Sequence, residues 1–393
     1  MGEACPVVEP MHGHWDEPHA YWAKLREQAP VALAEPAKPG DRPVYYVTRW
    51  AEVDHVLRHP ETFSSSINAQ GTGKFMGPVM LSMDGEQHRA HRFLVSHAFR
   101  ASQLARWEKG LMRPAIEQLC DRVADRGKAE LVGEVISRYP VMVICALCGI
   151  PAQDSYRFLQ WAIDIHRGMM NPEIGMAAAQ AMQTYLEPVV AERRKHPGED
   201  LISDLVEAEV AGARLSDDEI FGFLRLLLPA GSESTFRTLA NALYSTLTMP
   251  GLYRRALAEP AVIPLIVEET IRWDVANSMV SRITTCDTVL GGCAIPAGSA
   301  LLVMTSSANR DAAHFDQPDR FDPDRPSMRH LGFGAGPHQC LGLHLARIEI
   351  RIGLEVILER LPGLRLDPQA PVPKFSNLSF RGPDSVHVLF GAG

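Results

Sequence analysis

From Gln87 to about Asp287 almost every window of this chain carries apolar residues at helical spacing, so the bulk of the fold must be built from packed helices. Short breakers interrupt the run, at Arg126-Gly127, Gly149-Ile150-Pro151, Asn171-Pro172 and Pro250-Gly251. Upstream, Glu17–Gln28 and Ala51–Arg58 read as helices, and Val31–Ala34 and Val44–Thr48 as short strands. Phe63–Val79, rich in Ser, Gly and Asn, reads as a long irregular loop. Ser281–Asn309 changes to Thr- and Val-rich runs broken by Gly291-Gly292 and Pro296-Ala297-Gly298, the pattern of strands and hairpins. A second irregular stretch, Arg310–Pro337, precedes an amphipathic helix at Leu341–Leu361 and a strand-rich tail. The expectation is a mainly α fold with a smaller β portion, forming a single domain over 1–393. Its helix-rich bulk covers about 85–275 and 338–362, and its β-rich parts about 30–50, 280–305 and 370–391.

The overall balance narrows the class. Of 393 residues, 46% are hydrophobic and 22% charged, an ordinary globular mix. A formal charge of −8 leaves no basic excess to neutralise phosphates, which argues against nucleic-acid binding. The opening MGEACPVVEPMHGHWDEP has no positive flank followed by an apolar core, and no later run approaches a membrane span. A soluble, cytoplasmic protein without membrane contact is expected. Seven cysteines at irregular spacing make no disulfide framework. Cys145 and Cys148 form a C-x-x-C on an apolar helix without a second pair, so they read as buried structural thiols, as do Cys5, Cys120, Cys286 and Cys293.

Cys340 is different. Phe333-Gly334-Ala335-Gly336-Pro337-His338-Gln339-Cys340-Leu341-Gly342 is a glycine-rich loop that delivers one cysteine to the first turn of a helix. Unpaired N–H groups and the helix dipole favour a thiolate there. Glycines at 334, 336 and 342 let backbone approach something large and flat, Phe333 can shield the sulfur, and His338 can donate to an acidic group. The alternative is a structural loop that ends in a core cysteine. The stretch resembles the haem-ligand signature of the cytochrome P450 family, F-x-x-G-x-H-x-C-x-G with the added Gly334. Six fixed positions match by chance in on the order of a few per million chains of this length and composition.

Further matches follow in the family's order. Glu269 and Arg272, three apart on one helix face, resemble the E-x-x-R pair, and Arg325 within FDPDR resembles the third member of a buried structural triad. His88 and Arg92, four apart, resemble the H-x-x-x-R whose side chains reach the haem propionates, and Arg282 matches a propionate-binding arginine at the start of a strand. The resemblance covers about Pro18 to Phe390 and implies haem b with Cys340 as its iron ligand.

It also accounts for Leu226–Thr235, LLLPAGSEST, where a proline, a carboxylate and three hydroxyls interrupt the most hydrophobic helix. In the family this stretch holds an acid–alcohol pair beside the iron. Ala230 and Gly231 would leave room for dioxygen, and Glu233 would relay protons. Ser234 occupies a position where the family usually has threonine, and Thr235 becomes the working hydroxyl if Pro229 distorts the helix. The substrate pocket is expected near Gly71–Val79, Ile163–Met170, Leu226–Ala230, Val275–Val280 and Asn377–Phe380, with Met169, Met170 and Met279 in its walls.

The resemblance implies a monomeric monooxygenase that takes electrons, ultimately from NAD(P)H, through a ferredoxin or flavodoxin and oxidises a small hydrophobic substrate with dioxygen. Arg89, Arg100, Arg106, Lys109, Arg113, Arg329 and His330 are candidates for a basic docking patch. A peroxide-driven or rearranging haem-thiolate enzyme, or a haem protein that senses without catalysis, are the alternatives.

Overall fold

The computed structural model describes every residue except 1–4, 10–16, 37, 39, 72, 78, 97–98, 100–103, 106, 169–170, 211–212, 327–328, 377–379 and 392–393. The expected pocket residues Met169, Met170 and Asn377 and the patch residues Arg100 and Arg106 lie outside the described residues.

The organising element is the central helix, Asp217–Thr248, 32 residues long. It starts at a capping box: the Glu219 N–H donates to the Ser216 hydroxyl, and the Glu219 carboxylate accepts the Ser216 N–H. Asp217, Asp218 and Glu219 sit in its first turn, where the helix dipole favours negative charge. Ile220, Leu224, Leu239 and Leu243 are fully buried along its length and anchor the largest core cluster. Helices Arg138–Leu147, Ser155–Arg167, Pro172–Lys195, Ile263–Trp273 and Leu343–Arg360 surround it. Gly353 on the last of these touches Leu239, where any Cβ would clash, so two helices cross at close range there.

The β portion lies to one side. A six-stranded sheet has the order Val7–Val8, Val31–Ala34, Val44–Val47, Ala300–Val303, Val280–Thr284, Phe63–Ser64. Val44–Val47 and Ala300–Val303 run parallel, and Val280–Thr284 lies antiparallel to the latter with Arg282 opposite Leu301. A second core cluster, including Val47, Leu57, Phe63, Leu301 and Ala335, seats the cysteine loop on this sheet and on helix Trp50–Arg58.

Several sequence expectations are refined. Phe63–Val79 is not irregular throughout, because it holds a 3₁₀ segment at Ser65–Gln70 and a short helix at Gly73–Met76. Lys128–Glu130, inside the helical run, is a strand that pairs with His387–Leu389. Single π-helical turns occur at Glu108–Met112 and Val132–Ile136. Cys145, Cys148, Cys120 and Cys293 are buried, but Cys286 is exposed and so is no core thiol. No helix among the described residues is long and apolar enough to cross a membrane.

Candidate functional site

The cysteine loop closes on itself where the Cys340 N–H donates to the Phe333 carbonyl at 2.9 Å. Gly334 and Gly336 both have φ of +68°, and a Cβ on Gly336 would run into the carbonyl of Leu57 and the Cα of Arg58. Only glycine fits there. Gly336→Ala should therefore cost about 1–3 kcal/mol and lower the melting temperature. An unchanged melting temperature would show that the loop gives way. The helix behind the loop begins at Leu343, later than the expected Leu341, so Cys340 precedes its N-cap Gly342 instead of sitting in its first turn.

Cys340 is reachable by solvent and yet closely surrounded by protein, as a residue that lines a cleft is. Burial pushes the thiol above its ordinary value, while the Gly342 N–H, Arg92 and Arg347 favour the thiolate. Arg347 lies over the Phe333 ring, with its guanidinium carbon 4.6 Å from the centroid, and also clamps Glu268 at 2.6 and 2.7 Å. His330 holds the same carboxylate at 2.8 Å. Against the upward push of burial, His330 and Arg347 bring the Glu268 pKa down to about 2, so this clamp is ionic.

Around the same cleft stand cations that have no acid partner among the described residues. Arg282 is buried at 4% exposure, and its one side-chain hydrogen bond among the described residues runs to the carbonyl of its neighbour Ser281. Burial lowers its pKa to about 10. Arg92, half-buried, donates to the Gln339 carbonyl at 2.7 Å. His88 is buried, its Nε2 has no hydrogen-bond partner among the described residues, and its ring lies 4.0 Å from that of His338. Burial, then His338 and Arg92, push His88 down to about 4, so its ring is neutral near pH 7. Asp84, which the sequence did not flag, orders this corner. It takes His338 Nε2 at 3.0 Å, the Ser64 hydroxyl at 2.7 Å and the Ser65 N–H at 2.9 Å.

The triad is formed. Glu269 takes Arg272 through two hydrogen bonds of 2.7 Å, and Arg325 Nε approaches it at 3.4 Å. The two arginines spend their remaining N–H groups on carbonyls of Asn309, Asp316, Gln317, Pro318 and Arg320. That explains how an irregular stretch as long as Arg310–Pro337 keeps one shape.

On the central helix, Pro229 leaves the helix continuous, so the distortion that would make Thr235 the working hydroxyl does not occur. Side chains fold back instead: the Ser232 hydroxyl donates to the Leu228 carbonyl at 2.8 Å, and Ser234 to Ala230 at 2.9 Å. The accessible stripe in the middle of the helix is Leu226, Leu227, Ala230, Gly231 and Ser234, whereas Thr235 is buried at 4%. With its proton on Ala230, the Ser234 oxygen remains able to accept a hydrogen bond from the cleft side.

Glu233 is 7% exposed and faces a second element, helix Ser155–Arg167. His166 Nδ1 lies 2.5 Å from its carboxylate, in contact but off the axis of a formed hydrogen bond. Arg237 lies 3.9 Å from it and also reaches the Asp384 carboxylate at 3.2 Å. The His166 contact carries no sequence signal and is created by tertiary packing, whereas Arg237, four residues further along the same helix, is brought to Glu233 by helical spacing.

The expected basic patch is mostly neutralised. Arg113 pairs with Glu117 and Glu359, Arg329 with Asp54, and His330 with Glu268, which leaves Arg89 and Lys109 as exposed members.

A haem brings a flat face, one axial position and two carboxylates. The cleft offers a cysteine that solvent can reach, side-chain-free backbone at Gly334 and Gly342, and two arginines without acid partners among the described residues beside a buried histidine. The residues present therefore fit that group.

Comparison with known proteins agrees. The family model described as Cytochrome P450 matches residues 151–383. The chain is 35% identical over 391 residues to the mycinamicin IV hydroxylase/epoxidase of Micromonospora griseorubida, with 94% of each chain covered. It is 34% identical over 349 residues to a steroid C26-monooxygenase of Mycolicibacterium smegmatis, covering 87% of this chain and 86% of that one. Its backbone matches that of CYP109Q5 from Chondromyces apiculatus with a TM-score of 0.88 at 29% identity, over 98% of this chain and 99% of the other. The chain belongs to the cytochrome P450 family and is a haem-dependent monooxygenase.

Proposed function

We propose that this single-domain, monomeric and cytoplasmic protein binds haem b through Cys340 and hydroxylates or otherwise oxidises a hydrophobic small molecule. Haem iron held by a thiolate supplies the activation of dioxygen. The observation that carries the reading is the set Arg92, Arg282 and His88, cations and a donor without acid partners among the described residues, around one enclosed thiol. His88, Arg92 and Arg282 hold the propionates, and Asp84 fixes His338 beside them. Phe333, Gly334 and Gly342 cover the sulfur side, while Glu269, Arg272 and Arg325 keep the loop that carries Cys340 in shape.

On the opposite face, Ala230 and Gly231 keep the central helix clear of side chains, which leaves space for dioxygen. Ser234, rather than Thr235, presents the oxygen-facing hydroxyl, because it shares the accessible stripe with Ala230. Glu233 moves protons inward from its His166 and Arg237 contacts. Electrons come ultimately from NAD(P)H through a small acidic ferredoxin or flavodoxin, which docks near Arg89 and Lys109. The names of the relatives, a mycinamicin IV hydroxylase/epoxidase and a steroid C26-monooxygenase, support a bulky apolar substrate class.

The test is isotopic. With ¹⁸O-labelled dioxygen, a reductant and a ferredoxin system, product should carry one ¹⁸O atom per oxidation. Turnover with unlabelled hydrogen peroxide alone, and none with dioxygen and electrons, would replace this reading with the peroxide-driven one.

A further inference from the structure

Arg92 and Arg282 have no carboxylate partner among the described residues, in keeping with an anion bound beside them in the proposed reading. A further arginine has the same character and lies elsewhere. Arg225 precedes Ala230 by five residues on the central helix, about 7.5 Å along its axis at 1.5 Å per residue. Its Nη1 donates to the Gln183 side-chain oxygen at 2.7 Å, from helix Pro172–Lys195. Its Nε is buried with no acceptor among the described residues. Its Nη2 faces Gly77, where an added Cβ would come within 3.0 Å.

Burial pushes this guanidinium below its usual value, and Asp218 opposes that from a distance without forming an ion pair. The nearby Glu187 is already engaged, accepting the Gln183 amide at 3.1 Å. The group is therefore partly desolvated and charged, and satisfied by one neutral amide. Such an arrangement is unfavourable unless a further acceptor arrives. Other arginines of this chain hold acids directly, as Arg193 holds Asp200 at 2.6 Å and Arg272 holds Glu269, or fill their donors with backbone carbonyls, as Arg49 does with that of Arg26.

Its surroundings are those of the substrate pocket. Gly77 belongs to the segment expected to roof the pocket, and Leu226 and Leu227, next along the chain, open onto the same accessible stripe as Ala230. Gly77 has φ of +77° and no side chain, which lets its backbone come this close to the guanidinium.

We propose that Arg225 binds a carboxylate on the substrate, which is then an apolar molecule with an acid at one end. The acid docks between Gly77 and Gln183, and the oxidised carbon lies farther along the molecule, over Ala230. The position of that carbon rests on the haem-thiolate reading; the recognition of the acid does not.

Matched probes test it: dodecanoic, hexadecanoic and cholanic acids against their primary amides, titrated by calorimetry into purified haem-loaded protein at pH 7.5. At least one acid should bind about tenfold more tightly than its amide, the size of one charge-assisted hydrogen bond set against a neutral one. The preference should shrink in high salt. In Arg225→Gln the acid-to-amide ratio should fall to near one while amide affinity holds, and Arg225→Lys should retain part of the preference. Equal affinities for all three pairs, no binding of any acid, or a preference that survives Arg225→Gln overturns the proposal. If the preference depends on Arg225 while the reduced carbon-monoxide complex lacks the thiolate band, the haem assignment fails and this inference stands.

Discussion

Arg272→Ala should destabilise the protein by about 3–5 kcal/mol, because it takes both short hydrogen bonds from the buried Glu269 carboxylate and leaves it only the longer Arg325 contact and the Asp322 N–H. Glu269 and Arg272 are only 5% and 2% exposed, so water cannot replace the lost partner. The damage extends beyond the pair, since Arg272 also binds the carbonyls of Asn309, Pro318 and Arg320. These contacts hold the stretch that leads into the cysteine loop, so purified Arg272→Ala should retain little haem. Calorimetric melting and the haem-to-protein absorbance ratio check both effects. Arg272→Lys keeps the charge but cannot make both hydrogen bonds to Glu269, so its cost should fall between those of alanine and the native residue. Native-like melting and haem content in Arg272→Ala would show that the loop is held by packing alone.

The second large effect concerns proton delivery. Glu233→Gln preserves size and hydrogen bonding yet removes the proton carrier, so product formation should fall about 10²-fold. Substrate affinity, read from the ligand-induced absorbance change, should stay within a factor of about two, because Glu233 lies off the accessible stripe. Ser234→Ala should keep electron consumption but divert much of it to hydrogen peroxide, and Thr235→Val should not. If Glu233→Gln turns over normally, the residue serves to hold helix Ser155–Arg167 and, through Arg237, Asp384. If Thr235→Val uncouples and Ser234→Ala does not, the buried hydroxyl is the working one.

The parts of this protein that were legible in the sequence are those fixed by local rules. The cysteine loop could be read because Gly334 and Gly336 occupy left-handed backbone and Gly336 touches Leu57, demands that admit one residue type at fixed spacing. Glu269 and Arg272 could be paired because three residues bring side chains to one helix face. Strand Lys128–Glu130 could not be read, since its partner comes from the far end of the chain and its own pattern is too short to declare a strand. The same holds for Asp84 with His338 and for Glu233 with His166, where only tertiary packing brings distant segments together. Pro229 misled in a different way. It removes one backbone donor, yet neighbouring helices hold the central helix in line, and serine hydroxyls fold back onto nearby carbonyls without opening it.

The central claim, that Cys340 binds haem iron as a thiolate, has one direct measurement: the absorption spectrum of the reduced, carbon-monoxide-bound protein. The account predicts the red-shifted band of thiolate-ligated haem in the native chain and its loss in Cys340→Ala that still folds. An unshifted band in the native chain, or a red-shifted band that persists without Cys340, would contradict it.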